Sequence, residues 1–118
     1  MTNQELLEYA AKAAGLEINK TSTGTLFVRK GVSQWDEWNP LTDDGDALRL
    51  AVKLKMFVGP SDPIYIGNDE YAYGVDVEYV NEYGKIFSFI EKHGDDPYAA
   101  TRRAIVRAAA EIGKEMTA

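Results

Sequence analysis

Arg102, Arg103 and Arg107 are the residues best suited to hold an anion. Adjacent guanidinium forks match phosphate or carboxylate oxygens. Cations in the first turns of a helix oppose its dipole, so a compensating negative group is expected. One candidate is an anionic ligand. The simpler account is internal pairing with Asp43, Asp44, Asp46 or Asp95, because surface ion pairs are common; Arg107 also has Glu111 four residues on. Trp35 and Trp38, beside Asn39-Pro40, offer an aromatic platform for a base or a partner. An exposed Trp leaves on the order of 150–250 Å² in water, so a loop Trp usually plugs a core edge, a reading that favours Trp38 more than Trp35. Asp43-Asp44-Gly45-Asp46 resembles a calcium loop only superficially. An EF-hand needs Glu six residues after the Gly, where this chain has Ala51, and helix capping accounts for the acids. Asp76 and Glu78 form a carboxylate pair of the kind used in acid/base chemistry, but their alternation in a strand reads as a solvated face. His93, before Gly94, reads as an exposed loop residue.

Other chemistries are excluded by what is missing. The chain has no Cys and one His, which removes thiolate nucleophiles, Cys-based zinc sites and His-pair metal motifs. Gly24 and Gly31 lack the context of a phosphate-binding loop. No catalytic residues, metal ligands or cofactor are therefore expected. With 13 basic and 19 acidic residues in 118, the net charge is −6, which disfavours non-specific nucleic-acid binding. The length fits a single domain over residues 1–118, and 45 % hydrophobic residues fit a globular one. No stretch is long and apolar enough to span a membrane, and the N-terminus does not read as a signal peptide. A cytoplasmic protein is expected, in the host cytoplasm if it is phage-encoded.

The elements that must position these residues are well marked in places. A helix is expected from Thr2 to Ala14, with Thr2 and Glu5 as a capping box and Gly15 as its stop. A hairpin follows through Ile18 and Leu26-Phe27-Val28, then an irregular loop from Gly31 to Leu41. A second helix runs from Thr42 or Asp43 to about Lys55, broken by Gly59-Pro60. Ile64-Tyr65-Ile66, Tyr71–Val80 and Lys85–Glu91 read as strands, with Tyr71, Tyr73, Val75, Val77 and Tyr79 facing one way. Asp96-Pro97 opens a last helix whose buried side includes Tyr98, Ile105, Val106, Ala109 and Ile112. It ends near Gly113, with a frayed tail from about Lys114. The expected fold is α+β: an antiparallel sheet of four to five strands packed by three helices, in the order α-β-β-α-β-β-β-α.

Trp38-Asn39-Pro40-Leu41-Thr42-Asp43-Asp44-Gly45-Asp46-Ala47 and Ala100-Thr101-Arg102-Arg103-Ala104-Ile105 carry a likeness. A W-x-P-x-x-D loop entering an amphipathic helix, with a closing A-x-x-R-A helix, resembles the phage ABA-sandwich domain family of small phage and prophage proteins. The likeness covers roughly Glu5 to Gly113. It implies helices on both faces of an antiparallel sheet and brings no catalytic residues. Trp38, Pro40, Asp46 and the Arg102-Arg103 pair match what recurs in its members. Arg102, Arg103, Trp38 and Asp46 are accordingly the candidate ligand-binding residues. The function expected is that of an accessory protein acting by binding. It would hold a small anionic, nucleotide-like ligand in host-defence antagonism or, alternatively, block a host protein's basic, nucleic-acid-binding surface. Its partners are then a small anion or a host protein, with no direct nucleic acid and no membrane, and with room for a homo-oligomer. The start of the second helix is expected to lie against the first turns of the last.

Overall fold

The computed structural model describes residues 1–117. Helix α1 spans Asn3–Ala13. Thr2 Oγ1 accepts from the Glu5 N–H (3.1 Å) and Glu5 Oε1 from the Thr2 N–H (3.0 Å), closing the expected capping box. At the other end Gly15 takes φ 69°. Its N–H donates to the Lys12 carbonyl and that of Leu16 to the Ala11 carbonyl, a Schellman stop. Strands β1 (Ile18–Lys20), β2 (Leu26–Arg29) and β3 (Trp35–Glu37) then form an antiparallel meander in that order. The loop expected from Gly31 to Leu41 thus contains a strand, β3, registered with Phe27–Arg29.

Helix α2, Asp44–Lys53, is capped by Asp43, whose carboxylate accepts from the Asp46 N–H at 2.8 Å. It is followed by β4 (Phe57–Pro60), β5 (Ile64–Gly67), β6 (Glu70–Ala72), β7 (Gly74–Val80) and β8 (Ile86–Lys92). Gly59-Pro60 does not end the helix. α2 is stopped at Lys55, which takes φ 56° while its N–H donates to the Val52 carbonyl and that of Met56 to the Ala51 carbonyl. Gly59-Pro60 belongs to β4, an edge strand where Pro costs no ladder bond. The single strand expected over Tyr71–Val80 is two strands, interrupted at Tyr73. Helix α3 runs from Pro97 to Thr117, opened by Asp96, whose carboxylate accepts from the N–H groups of Tyr98 and Ala99.

Gly113 does not end α3, because its role is packing. A Cβ there would lie 1.9 Å from the Tyr9 carbonyl oxygen, so glycine lets α1 and α3 touch backbone to backbone. Ala10 and Ala11 of α1 and Ala104, Ala108, Ala109 and Ala110 of α3 are fully buried around this seam. The core adds Leu26, Val28, Trp38, Leu50, Val75, Val77 and Ile105. Tyr98 was expected on the buried side of α3, but it sits in the first turn, ahead of the apolar stripe, and is exposed.

The fold is the expected α+β class, with three helices on antiparallel strands. Among the described residues eight strands divide into sheets β1-β2-β3, β4-β7-β8 and β5-β6. α3 packs on β7 and β8 and against both other helices. The helices lie on one face of β4-β7-β8, not on both as the family resemblance implies. On the opposite face Phe57, Val80, Ile86 and Ile90 are exposed. Ser61 N–H donates to the Gly74 carbonyl (2.9 Å), so β5-β6 continues the β4-β7 pair as one long ribbon. Its turn is made by Gly67, Asn68 and Asp69, all at positive φ. The molecule measures 55 × 35 × 22 Å.

Candidate functional site

The four residues expected to bind a ligand do not share a site. Arg102 extends from the second turn of α3 to the start of α2. Its Nε donates to the Leu41 carbonyl (2.8 Å) and its guanidinium to Asp44 Oδ1 (2.6 Å). The expected approach of α2's start to α3's first turns is therefore present, through Asp44. Arg103 points elsewhere, to Glu91 (3.4 Å) and Asn3 (3.5 Å). The expected pairing of Arg103 with Asp43, Asp44 or Asp46 is replaced by these partners, because one helical step turns it from α2 toward β8. Arg107 joins Arg103 on Glu91 (3.3 Å) and lies over the Phe89 ring.

Trp38 is buried, and its loop is held by a different carboxylate. Asp46 Oδ2 accepts from the Asn39 N–H (2.9 Å), and Oδ1 pairs with Arg49 (2.8 Å). Asp46 is nearly buried and fully occupied, so it works as a loop clamp. Trp38 and Asp46 line a cavity of about 290 Å³ with Val28, Lys30, Arg49 and Lys53. Arg102 instead lines a groove of about 420 Å³ with Leu48, Val58 and Tyr98. Arg103 lines a third depression, with Phe89 and Glu111. Among the described residues no three His, Asp or Glu side chains converge as a metal would need.

The ribbon has a different character. From Met56 to Gly84 the sequence holds Asp62, Asp69, Glu70, Asp76, Glu78 and Glu82 and no Lys or Arg. Those six carboxylates equal the whole net charge of −6; the rest of the chain carries 13 acids against 13 bases. Tyr65, Tyr71, Tyr73 and Tyr83 of the same segment are all more than half exposed. Tyr65 and Tyr71 face each other across β5-β6 with ring centroids 5.5 Å apart. Tyr71 and Tyr73 were expected to share one face with Val75, Val77 and Tyr79, as a core or a partner surface. The interruption at Tyr73 separates them from that alternation, so only the β7 residues reach the core.

On the open face of β7, Asp76 accepts from the Ser88 hydroxyl (2.6 Å). A hydrogen bond with Asp76, partial desolvation and the Asp76 charge together raise the Glu78 carboxyl above its ordinary value. Asp76 and Glu78 thus share the open sheet face, as their alternation predicts, among Phe57, Val80, Ile86 and Ile90. The sequence signal that finds this region is the run of 29 residues without a cation, Met56–Gly84. Compared with protein-family models, with curated proteins and with solved structures, the chain matches none. Among the described residues no helix is long and apolar enough to cross a membrane.

Proposed function

We propose that this chain is a phage-type accessory protein that acts in the cytoplasm by binding, not catalysis, and that it docks a basic protein surface through its acidic ribbon. One observation carries the reading: Met56–Gly84, which includes the tyrosine-rich β5-β6 ribbon, holds six carboxylates and no cation, equal to the whole net charge, and it contributes to an open sheet face where Phe57, Val80, Ile86 and Ile90 are exposed. Carboxylates complement Lys and Arg and speed encounter, while tyrosines supply rigid contact area. A protein surface that normally grips nucleic-acid phosphates has the matching charge. The test uses two baits in a bacterial lysate, wild type and Tyr65→Ser/Tyr71→Ser/Asp69→Lys/Glu70→Lys. Wild type alone should retain strongly basic, nucleic-acid-binding proteins, and added duplex DNA should release them. Equal capture by both baits, or capture that DNA does not compete, overturns the reading.

A second reading keeps the small anion and moves its site. Lys30, Arg49 and Lys53 surround the cavity beside Trp38, which is close to the smallest of ordinary ligand pockets. A nucleotide present at about 100 times its Kd would add roughly 2.7 kcal/mol of stability. A thermal-shift series with nucleoside mono-, di- and triphosphates that leaves the melting temperature unmoved removes this alternative.

A further inference from the structure

β8 is an edge strand: in the order β4-β7-β8, no other described strand pairs with its far side. Such an edge offers a row of backbone donors and acceptors, and proteins usually blunt it with Pro, charge or a bulge. The opposite edge, β4, ends in Gly59-Pro60. β8 has no such protection over Ile86-Phe87-Ser88-Phe89-Ile90. That pentapeptide reads identically in both directions about Ser88, and it is flanked by Lys85 on one side and Glu91 on the other.

The ladder determines which backbone groups face outward. Asn81 N–H donates to the Lys85 carbonyl (3.0 Å), and His93 N–H donates to the Tyr73 carbonyl (2.9 Å). Antiparallel alternation between these points turns Phe87, Phe89 and Glu91 toward β7. The N–H and C=O groups of Ile86, Ser88 and Ile90 then point away from the sheet.

We propose that β8 pairs antiparallel with β8 of a second copy of this chain, about a two-fold axis at Ser88, joining two three-stranded sheets into one. Ser88 then opposes itself, and Ile86 opposes the copy's Ile90 on both sides of the axis. The outward groups make about six main-chain hydrogen bonds. On the helix-covered side Phe87 meets Phe89. At each end Lys85 meets Glu91, placing opposite charges across the strands. On the open face Ile86 and Ile90, now 61 % and 49 % exposed, gain cross-strand neighbours. A two-fold interface must be self-complementary, which is what this palindrome supplies. The acidic β7 strands do not oppose it. Three strand spacings separate them, about 14 Å, which is beyond a Debye length of about 8 Å at physiological salt. This inference stands on the sheet edge, independently of what the ribbon binds.

Sedimentation equilibrium of the wild-type chain should give twice the 13.1 kDa monomer mass at high protein concentration. Ile86→Lys/Ile90→Lys places Lys against Lys at both ends and should sediment as a monomer. Ile86→Lys/Ile90→Glu places Lys against Glu and should restore the dimer. Circular dichroism checks that both remain folded. Because the chain lacks Cys, Ser88→Cys gives an independent readout that tolerates failure of either double variant. Residues paired at the axis have Cα atoms about 5.5 Å apart, within disulfide reach. Ser88→Cys should therefore oxidise to a linked dimer at least tenfold faster than Val32→Cys, at a position that is 93 % exposed. A monomeric wild type, equal masses for the two folded double variants, or equal oxidation rates at positions 88 and 32 would each overturn the pairing.

Discussion

Ala10 and Ala11 of α1 and Ala104, Ala108, Ala109 and Ala110 of α3 expose nothing to solvent, whereas Tyr65, Tyr71 and Tyr73 of the ribbon are each more than half exposed. The two regions also differ in charge: outside Met56–Gly84 acids and bases balance, and within it every charge is negative. The helical body puts its smallest side chains where backbones meet, and it places cations beside carboxylates. The ribbon keeps large side chains in water and repeats one sign of charge. In this chain packing and recognition are assigned to different stretches of sequence, so substitutions should separate them.

The sharpest break of the comparison is at the seam. Gly113→Ala adds a methyl group where the Tyr9 carbonyl stands, and should lower unfolding free energy by about 3 kcal/mol in urea titration. A loss below about 1 kcal/mol would mean that the helices separate easily and the contrast with the ribbon is weaker than described. Arg102→Ala comes next. It strands the Leu41 carbonyl and frees Asp44, for an expected loss of about 1–2 kcal/mol. Arg103→Ala, at a half-exposed pair with Glu91, should cost under about 1 kcal/mol. Equal losses would erase the distinction between these neighbours.

The smallest effect belongs to the ribbon. Glu78 has its folded pKa raised from an ordinary 4.5, so the native state holds its proton more tightly than the unfolded chain does. Its contribution is present at low pH and is lost as pH rises through the raised value. Glu78→Gln should match or exceed wild-type stability at pH 7 and flatten that decline, read as urea midpoints from pH 4 to 7. A variant less stable than wild type at pH 7 would show that the carboxylate supports the fold.

Local signals were legible wherever one residue type satisfies a backbone need. Thr2 with Glu5, Asp43, Asp96-Pro97 and Gly15 each mark a helix end by the N–H or the φ they serve. Signals with two meanings were not. Gly113 near a helix end is equally a stop or a contact, and only the position of Tyr9 decides. Gly59-Pro60 reads as a helix breaker and equally as part of an edge strand, and only the stop at Lys55 shows that the second meaning holds. Trp35–Glu37 has no alternation to mark β3, because its face is set by pairing with β2. The charge argument found one of two partners: Arg102 reaches Asp44, while Arg103 reaches Glu91 on an element distant in sequence. Trp38 and Asp46, joined to the arginines by family likeness alone, line a separate cavity.

The α1–α3 seam also sets an order of events during synthesis. Its two halves, Asn3–Ala13 and Pro97–Thr117, are far apart in sequence, so α1 leaves the ribosome long before its main packing partner exists. At about 5–20 residues per second the wait is roughly 5–20 s. Contacts of such long sequence separation are slow to form, because the intervening loop must close first. Every strand, including the tyrosine ribbon and the bare β8 edge, is translated during that interval. A nascent chain ending at Asp96 would hold all eight strands, yet it would lack the helix on which α1, α2 and the β7-β8 strands pack.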